Sequence, residues 1–409
     1  MTQALTIDRL GAKADGIGSL PDGGQAFVPF TLPGERVLAS GRGPRFELER
    51  VETPSPERVE PPCPHFGICG GCDLQHASDA VYHAFKRDLV VEAFRRVGID
   101  APVDDLVPCP PHSRRRVTLS AVRAGNGVLL GYNEALSHRI VDIKVCPIAL
   151  PEIERALPGL RQLAGLAVDR RRPLRLTVTV TASGLDVALA DAAPLNERLR
   201  QNLVRFAVEA GLARLSSGGE VLLESRPPVI DIDGIAVSPP PGGFLQAVAS
   251  AEAQMATRAL GHLKGARQVA DLFAGVGTFS LRLARQSAVH AVESDAPALA
   301  ALDAAQRHTR GLKPLTSERR DLFRRPLNAR ELKRFDGLVF DPPRAGAEAQ
   351  SREVAGSSVA RVAAISCNPT TLARDVAILV AGGYRLDRVT PIDQFLWSHH
   401  VEAVALLSR

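Results

Sequence analysis

Near its C-terminal end the chain reads Ile365-Ser366-Cys367-Asn368-Pro369. Arg361 to Ser366 has the makeup of a short buried strand, and Asn-Pro breaks it. Thr370 to Val380 then has helical character, with Thr370 or Thr371 expected as its cap. Cys367 therefore falls between a strand end and a helix start, which in an open α/β sheet is where ligands and reactive groups collect. A cysteine there is either an activated nucleophile or a small buried apolar residue, and position alone leaves both readings open.

A second group of thiols lies in Cys63-Pro-His-Phe-Gly-Ile-Cys69-Gly-Gly-Cys72, a Gly- and Pro-containing loop able to wrap an ion or cluster. A closed site needs a fourth ligand, and Cys146 and Cys109 are the remaining candidates. Zinc and an iron–sulfur cluster both accept four thiolates. Zinc ribbons more often pair two Cys-x-x-Cys knuckles, and only one such pair is present, so the residues lean toward iron–sulfur.

The third constellation is a phosphate- or nucleoside-type loop. Arg267 to Phe273 reads as a strand, followed by Ala274-Gly275-Val276-Gly277-Thr278 and a helix, where glycines let a ligand approach a helix N-terminus. A dinucleotide fingerprint would place a third glycine at position 280, which is Ser280. Instead Asp271 ends the first strand, and the second, Ala288 to Glu293, ends in a carboxylate placed for ribose hydroxyls. That is the pattern of adenosylmethionine-dependent methyltransferases. Asp321 follows the third strand, on the adenine side. The fourth, Phe335 to Phe340, ends in Asp341-Pro342-Pro343-Arg344. Methylases of exocyclic base amines carry an aromatic residue at that last position, so Arg344 argues against amine methylation.

The elements that must hold these groups fall into three expected domains. Residues 1–58 form a small β-barrel, from the short strands Leu5 to Leu10, Gln25 to Pro29 and Glu35 to Ala39 with glycine turns between them. Glu47 to Glu60, with Pro54 and Pro56, reads as a linker. Such barrels either carry single-stranded nucleic acid or are plain structure. Residues 61–240 form a central α+β domain, with a helix over Ala77 to Val97 and strands at Arg116 to Val122, Val128 to Tyr132, Leu174 to Val180 and Leu185 to Leu189. Arg114-Arg115-Arg116 opens that sheet, as a solvated face or as a phosphate contact. Residues 241–409 alternate strand and helix, beginning with a helix over Ala247 to Leu263, so a doubly wound parallel sheet is expected.

A chain of 409 residues with 50 Lys+Arg against 45 Asp+Glu, net +5 and pI near 9.0, permits an anionic partner without requiring one. No run of eighteen apolar residues occurs and Met1 to Leu20 lacks signal-peptide character, so a soluble, cytoplasmic protein with no membrane association and no disulfides is expected.

Taken together, Phe244-Leu245-Gln246, Asp271-Leu-Phe-Ala-Gly275-Val-Gly277, Asp341-Pro-Pro-Arg344-Ala-Gly346, Ser366-Cys367-Asn368-Pro369 and His400-Val401-Glu402 resemble the RNA uracil-5 methyltransferases, in the family's order. Leu32-Pro33-Gly34-Glu35 is similar to the RNA-binding TRAM module. The resemblance implies an α/β, Rossmann-like class I methyltransferase domain behind an OB/TRAM-like barrel and a central iron–sulfur domain. It implies S-adenosyl-L-methionine held by Gln246, Phe273, Gly275, Gly277, Glu293, Asp321 and Asp341. It also implies a [4Fe–4S] cluster on Cys63, Cys69, Cys72 and Cys146. Barrel and cluster belong to the family's ribosomal branch, so the implied partner is large-subunit ribosomal RNA, met by a monomer. The same reaction on tRNA, and a non-catalytic RNA-binding protein on this fold, are the alternatives.

The implied chemistry demands these residue types. Uracil C5 is too poor a nucleophile to take a methyl group directly, and a thiolate adding to C6 makes it enolate-like. Cys367 matches the nucleophile and must ionise to act; Glu402 matches the base that removes the C5 proton. One departure stands out: where the family has Phe-Pro-His-Thr-x-His, this chain has Phe395-Leu396-Trp397-Ser398-His399-His400. Trp397, the sole tryptophan, either stacks on a base or packs.

Overall fold

The computed structural model describes residues 2–409 apart from Asn126, Leu136 and Arg170; Met1, the first residue of the expected barrel, lies outside the described residues. Strands β1 (Thr2–Leu10), β2 (Gly16–Ser19), β3 (Gln25–Val28), β4 (Arg36–Arg42) and β5 (Arg45–Thr53) close a barrel in the order β1-β2-β3-β5-β4. Leu5, Ile7, Ala26, Val28, Val37, Ala39 and Phe46 fill it. The expected linker starts too early at Glu47. Residues 45–53 pair with β4 because Phe46 supplies an inward apolar side chain, and only the prolines from Pro54 onward end the strand.

Helix α1 (Asp79–Arg95) is capped by Ser78, whose hydroxyl accepts from the Val81 N–H. It packs two ways: Tyr82 and Phe85 join Leu32 and Leu74, while Val90, Ala93 and Phe94 enter the core of the C-terminal sheet. The central sheet then builds from β6 (Arg116–Ala124), β7 (Gly127–Asn133), β8 (Ile140–Asp142), β9 (Leu174–Thr181), β10 (Gly184–Ala190), β11 (Arg214–Ser217) and β12 (Glu220–Glu224), in the order β12-β11-β10-β9-β6-β7-β8. Helices α2 (Pro151–Ala167) and α3 (Glu197–Glu209) lay Leu157, Leu160, Leu163 and Leu203 against it. The hairpin β13 (Ile230–Ile232) and β14 (Ile235–Val237) buries its four apolar side chains in the C-terminal core instead.

The C-terminal unit runs α4 (Ala249–His262), β15 (Gln268–Leu272), α5 (Ser280–Leu283), β16 (Ala288–Glu293), α6 (Ala296–His308), β17 (Leu315–Arg319), α7 (Ala329–Leu332), β18 (Gly337–Phe340), α8 (Glu348–Ala355), β19 (Arg361–Ser366), α9 (Pro369–Ala381), β20 (Arg385–Ile392) and β21 (Glu402–Ser408). Its seven strands lie in the order β17-β16-β15-β18-β19-β21-β20. Strands β15 to β19 pair in parallel, and the central β15, β18 and β19 are buried on both faces, as covered parallel strands are, while β17 forms the more exposed edge. The expectation of a wholly parallel sheet fails at the last strand. The crossover through α9 leaves one strand position open beside β19, and β21 returns antiparallel into that gap. Among the described residues no helix is long and apolar enough to cross a membrane.

Candidate active site

The reversed direction of β21 brings the reactive groups together. Ser366, the last residue of β19, pairs with Ala403, so Glu402 starts its strand beside the point where Cys367 leaves its own. Asn368, not Thr370 or Thr371, caps α9: its side chain accepts from the Thr370 N–H, and Pro369 takes the first helical position, where no N–H is needed. The Asn368 amide also donates to the Arg344 carbonyl at 3.2 Å, as does the Thr371 hydroxyl at 3.3 Å, which fixes the Asp-Pro-Pro-Arg turn against the cysteine turn. Gly346 is required there. Its φ is +78°, and a Cβ would meet Arg374 Nη2 at 2.5 Å and Asp375 Oδ2 at 2.6 Å.

Cys367 is partly exposed in a cavity of about 230 Å³ shared with Arg344, Asn368, His400 and, from α1, Ala93 and Arg96. Burial, then the Glu402 and Asp341 carboxyls, push its thiol up to about 11; Arg344, close by and hydrogen-bonded to it, pulls the other way. Burial likewise raises Asp341 to about 7, and holds Glu402 well above the ordinary carboxylate range, with Asp341 as its second cause. His400 falls to about 4, chiefly through burial, so its imidazole is neutral at pH 7.

The two carboxyls are joined by two amides. Gln246 donates to Asp341 Oδ2 at 2.7 Å, and Gln394 donates both to Gln246 Oε1 at 2.7 Å and to Glu402 Oε2 at 2.9 Å. Glu402 Oε1 is left buried without a partner. A buried acceptor in that state carries a desolvation cost of about 1–3 kcal/mol until something donates to it. Gln394 was not singled out from the sequence. It lies eight residues before Glu402 in no recognisable motif, and only the fold turns it inward.

The residues expected to hold the cofactor surround the carboxyl ends of β15, β16 and β18. Asp271 is fully buried, accepts from the Ser280 hydroxyl at 2.5 Å and is raised by burial to about 7. Phe273 has φ +62° and its ring lies 5.5 Å from that of Phe323. Gly275 at φ +56° has open space where a Cβ would stand, a cradle suited to a ligand. Gly277 at φ +95° packs instead, since a Cβ would lie 2.4 Å from Leu302 Cδ1. Glu293 accepts from the N–H groups of Gly275, Ser294 and Asp295, which aims its carboxylate at the glycine loop. Asp321 is exposed and accepts from the Phe323 N–H at 3.0 Å.

Within the arginine triplet, Arg115 and Arg116 turn inward instead of forming a solvated face, and Arg114 lies half-buried over the Phe395 ring. Arg115 is buried, bonds Glu252 at 2.6 Å and the Gln246 carbonyl at 3.1 Å, and Glu252 also holds Arg282 at 2.9 Å. Arg116 donates to the Gly242 carbonyl. Arg115 therefore braces Gln246 from behind.

Around the other thiols, Cys69, Cys72 and Cys146 are all raised by burial, Cys72 to about 12, and Cys63 and Cys146 are among the neighbours that add to the effect. Cys109 is elsewhere, against Ser250. Among the described residues no group of three or more His, Cys, Asp or Glu side chains is gathered tightly enough to hold a metal ion. Trp397 packs against the cluster of Leu32, Leu74 and Tyr82 at φ +58°.

Residues 235–409 match the family model described as tRNA (Uracil-5-)-methyltransferase. The chain is 53% identical over 408 residues to an uncharacterized RNA methyltransferase of Brucella suis, covering 100% of this chain and 98% of that one. It is 33% identical to the 23S rRNA (uracil(1939)-C(5))-methyltransferase of Pectobacterium atrosepticum, covering 94% and 89%. In fold it is similar to the Pyrococcus abyssi tRNA (uracil-54, C5)-methyltransferase in complex with S-adenosyl-L-homocysteine, at TM-score 0.77, 22% identity and 99% coverage of both chains.

Proposed function

We propose that this chain, which belongs to the RNA uracil-5 methyltransferases and is an adenosylmethionine-dependent enzyme of that family, methylates uridine C5 in large-subunit ribosomal RNA through a covalent Cys367 adduct. The observation that carries the mechanism is the β19–β21 register, which sets Cys367 and Glu402 side by side with Arg344 and Asp341 around them.

The target base enters the cavity at Cys367, splayed from its loop as RNA readily permits. Cys367 gives its proton to solvent at the mouth of its cavity, Arg344 compensates the thiolate charge, and the thiolate adds to C6. C5, now enolate-like, takes the methyl group from adenosylmethionine, and S-adenosylhomocysteine leaves. Glu402 then removes the C5 proton, the C5=C6 bond re-forms and the thiolate departs. Glu402 must be ionised to take that proton, and its burial beside Asp341 lets it hold the proton once taken. Gln246 and Asp341 orient cofactor and base edge, Gly275 leaves room for the cofactor, and Glu293 faces its ribose.

For ribosomal RNA over tRNA, the support is the higher sequence identity to the Pectobacterium enzyme, 33% over 94% of this chain, against 22% to the Pyrococcus abyssi tRNA enzyme. A groove of about 1000 Å³ between the barrel and the Cys69 loop carries Phe27 and Phe30 with Lys13, Arg42 and Arg45, and also the carboxylates of Asp15, Glu47, Asp73 and Glu134, so its suitability for flanking nucleotides rests on the aromatic rings rather than on net charge. Methyl transfer to ribosomal and tRNA transcripts, with Cys367→Ala as control, tests both parts. Activity confined to tRNA overturns the substrate, and an active Cys367→Ala overturns the nucleophile.

Cys63, Cys69, Cys72 and Cys146 would hold the [4Fe–4S] cluster. The support is that these four thiols act on one another electrostatically, and four thiolates are the usual ligand set of such a cluster. When bound it supplies a rigid four-point clamp, since the methyl transfer moves no net electrons. Protein purified without oxygen is expected to be brown, absorbing near roughly 400 nm; colourless protein containing zinc overturns this assignment.

A further inference from the structure

We propose that Asp73 and His399 are positioning residues, a hydrogen-bonded pair that ties the four-cysteine loop to the loop delivering Glu402 and so sets Glu402 for proton removal. The inference rests on the covalent mechanism above.

Asp73 directly follows Cys72. Its Oδ2 accepts from the His399 backbone N–H at 2.9 Å and lies 2.7 Å from His399 Nδ1. The N–H groups of Asp73 and Leu74 both donate to the Trp397 carbonyl, at 2.7 and 3.0 Å. From α1, the Tyr82 hydroxyl accepts from the Trp397 N–H at 2.6 Å and donates to Asp393 Oδ2 at 2.6 Å. Lys86, fully buried, bonds Asp393 at 2.6 Å and the Phe395 carbonyl at 2.8 Å. The span between β20 and β21 is thus held from outside the C-terminal unit.

That span carries both determinants of the base. Gln394 near its start is the donor to Glu402, and Glu402 follows at its end. Trp397 sits at φ +58°, a conformation a bulky residue keeps only where its surroundings over-determine it, and the paired N–H donors at its carbonyl do so. His399 also lines both the large groove and the Cys367 cavity, where the target strand would turn inward. Loosening the tie should therefore move Glu402 without touching Cys367, which hangs on β19 and α9.

The prediction separates two steps. Addition of Cys367 to C6 should persist, while loss of the C5 proton, with cleavage of the C6–S bond, should slow. In purified full-length Asp73→Ala, turnover on uridine RNA is expected to fall by about 100-fold, the loss a misplacement of roughly 1 Å brings. Methylated RNA should accumulate covalently on the protein. On 5-fluorouridine RNA, which has no C5 proton to lose, adduct formation should stay within about twofold of wild type. Asp73→Asn keeps an oxygen acceptor and should recover most turnover. Trp397 is the sole tryptophan, so at equal iron content its emission should shift to the red and quench more readily with acrylamide in Asp73→Ala. Should that variant not fold, Tyr82→Phe, which removes the hydroxyl that holds Trp397 and Asp393 from α1 and lines neither cavity, carries the same readouts with smaller effects. Equal losses in adduct formation and turnover, no accumulation, or unchanged Trp397 emission overturns the inference. If wild type forms no adduct on 5-fluorouridine RNA, the covalent mechanism itself falls.

Discussion

Two cysteine sites in this chain share a raised thiol pKa and differ in everything that surrounds it. Cys72 is pushed to about 12 by burial first and then by other thiols, with a hydrogen bond from the Gln75 side chain opposing them. Cys367 reaches about 11 by burial too, but its next neighbours are the carboxyls of Glu402 and Asp341, with the Arg344 guanidinium opposing them. The shift alone does not distinguish a ligand from a nucleophile. The neighbours do: thiols facing thiols can share iron, whereas one thiol between a cation and two carboxyls can exchange a proton.

The sharpest way to break this contrast is to exchange the effects of substitution. Cys367→Ala should cut methyl transfer by about 10⁴-fold or more while iron content stays unchanged. If activity survives, the site is not covalent. Cys72→Ser should do the reverse. Absorbance near roughly 400 nm disappears and urea stability drops by more than about 3 kcal/mol, as expected when a site that staples two segments is lost, while adenosylmethionine affinity by calorimetry holds within about twofold. Loss of affinity in Cys72→Ser would erase the distinction.

The carboxyls make a pH test. Asp341 has a folded pKa of about 7 against 3.8 unfolded, so the folded state binds its proton more tightly. That stability is fully present below about pH 4 and is lost as pH rises toward 7. Allowing for its partial exposure, wild type should lose on the order of 2 kcal/mol across this window that Asp341→Asn retains; parallel urea curves for the two proteins would remove the charge argument. The smallest effect concerns Arg344. In Arg344→Gln the thiol rises further, and iodoacetamide labelling of Cys367 at pH 8 should slow by on the order of tenfold, about one pKa unit. Unchanged labelling would mean that Arg344 does not balance the thiolate.

Much of this arrangement was legible in local sequence. The strand ahead of Cys367, the strands carrying Asp271 and Glu293 and the barrel were readable, because apolar runs bounded by Gly, Pro and Asn report burial and chain reversal within a few residues. The cap at Asn368 was misplaced by two or three positions, since Asn and Thr both accept from N–H groups and only the Arg344 carbonyl, distant in sequence, selects the asparagine. The arginine triplet misled for a related reason. Charge in sequence suggests solvent, and only the folded position of Glu252 makes Arg115 a buried brace.

By itself the sequence determined which groups exist and what each can do: a thiol before a helix, a carboxylate behind a histidine, glycines where a cofactor needs backbone room, three further thiols within ten residues. Tertiary structure alone decided which of them meet. The direction of β21 is a choice of sheet position made after the α9 crossover, and nothing local encodes it. That choice puts Glu402 beside Cys367, threads Gln394 between the carboxyls and lets Asp73 reach His399. Local propensity is set within a turn or a strand, whereas these pairings depend on packing between residues as many as 326 positions apart.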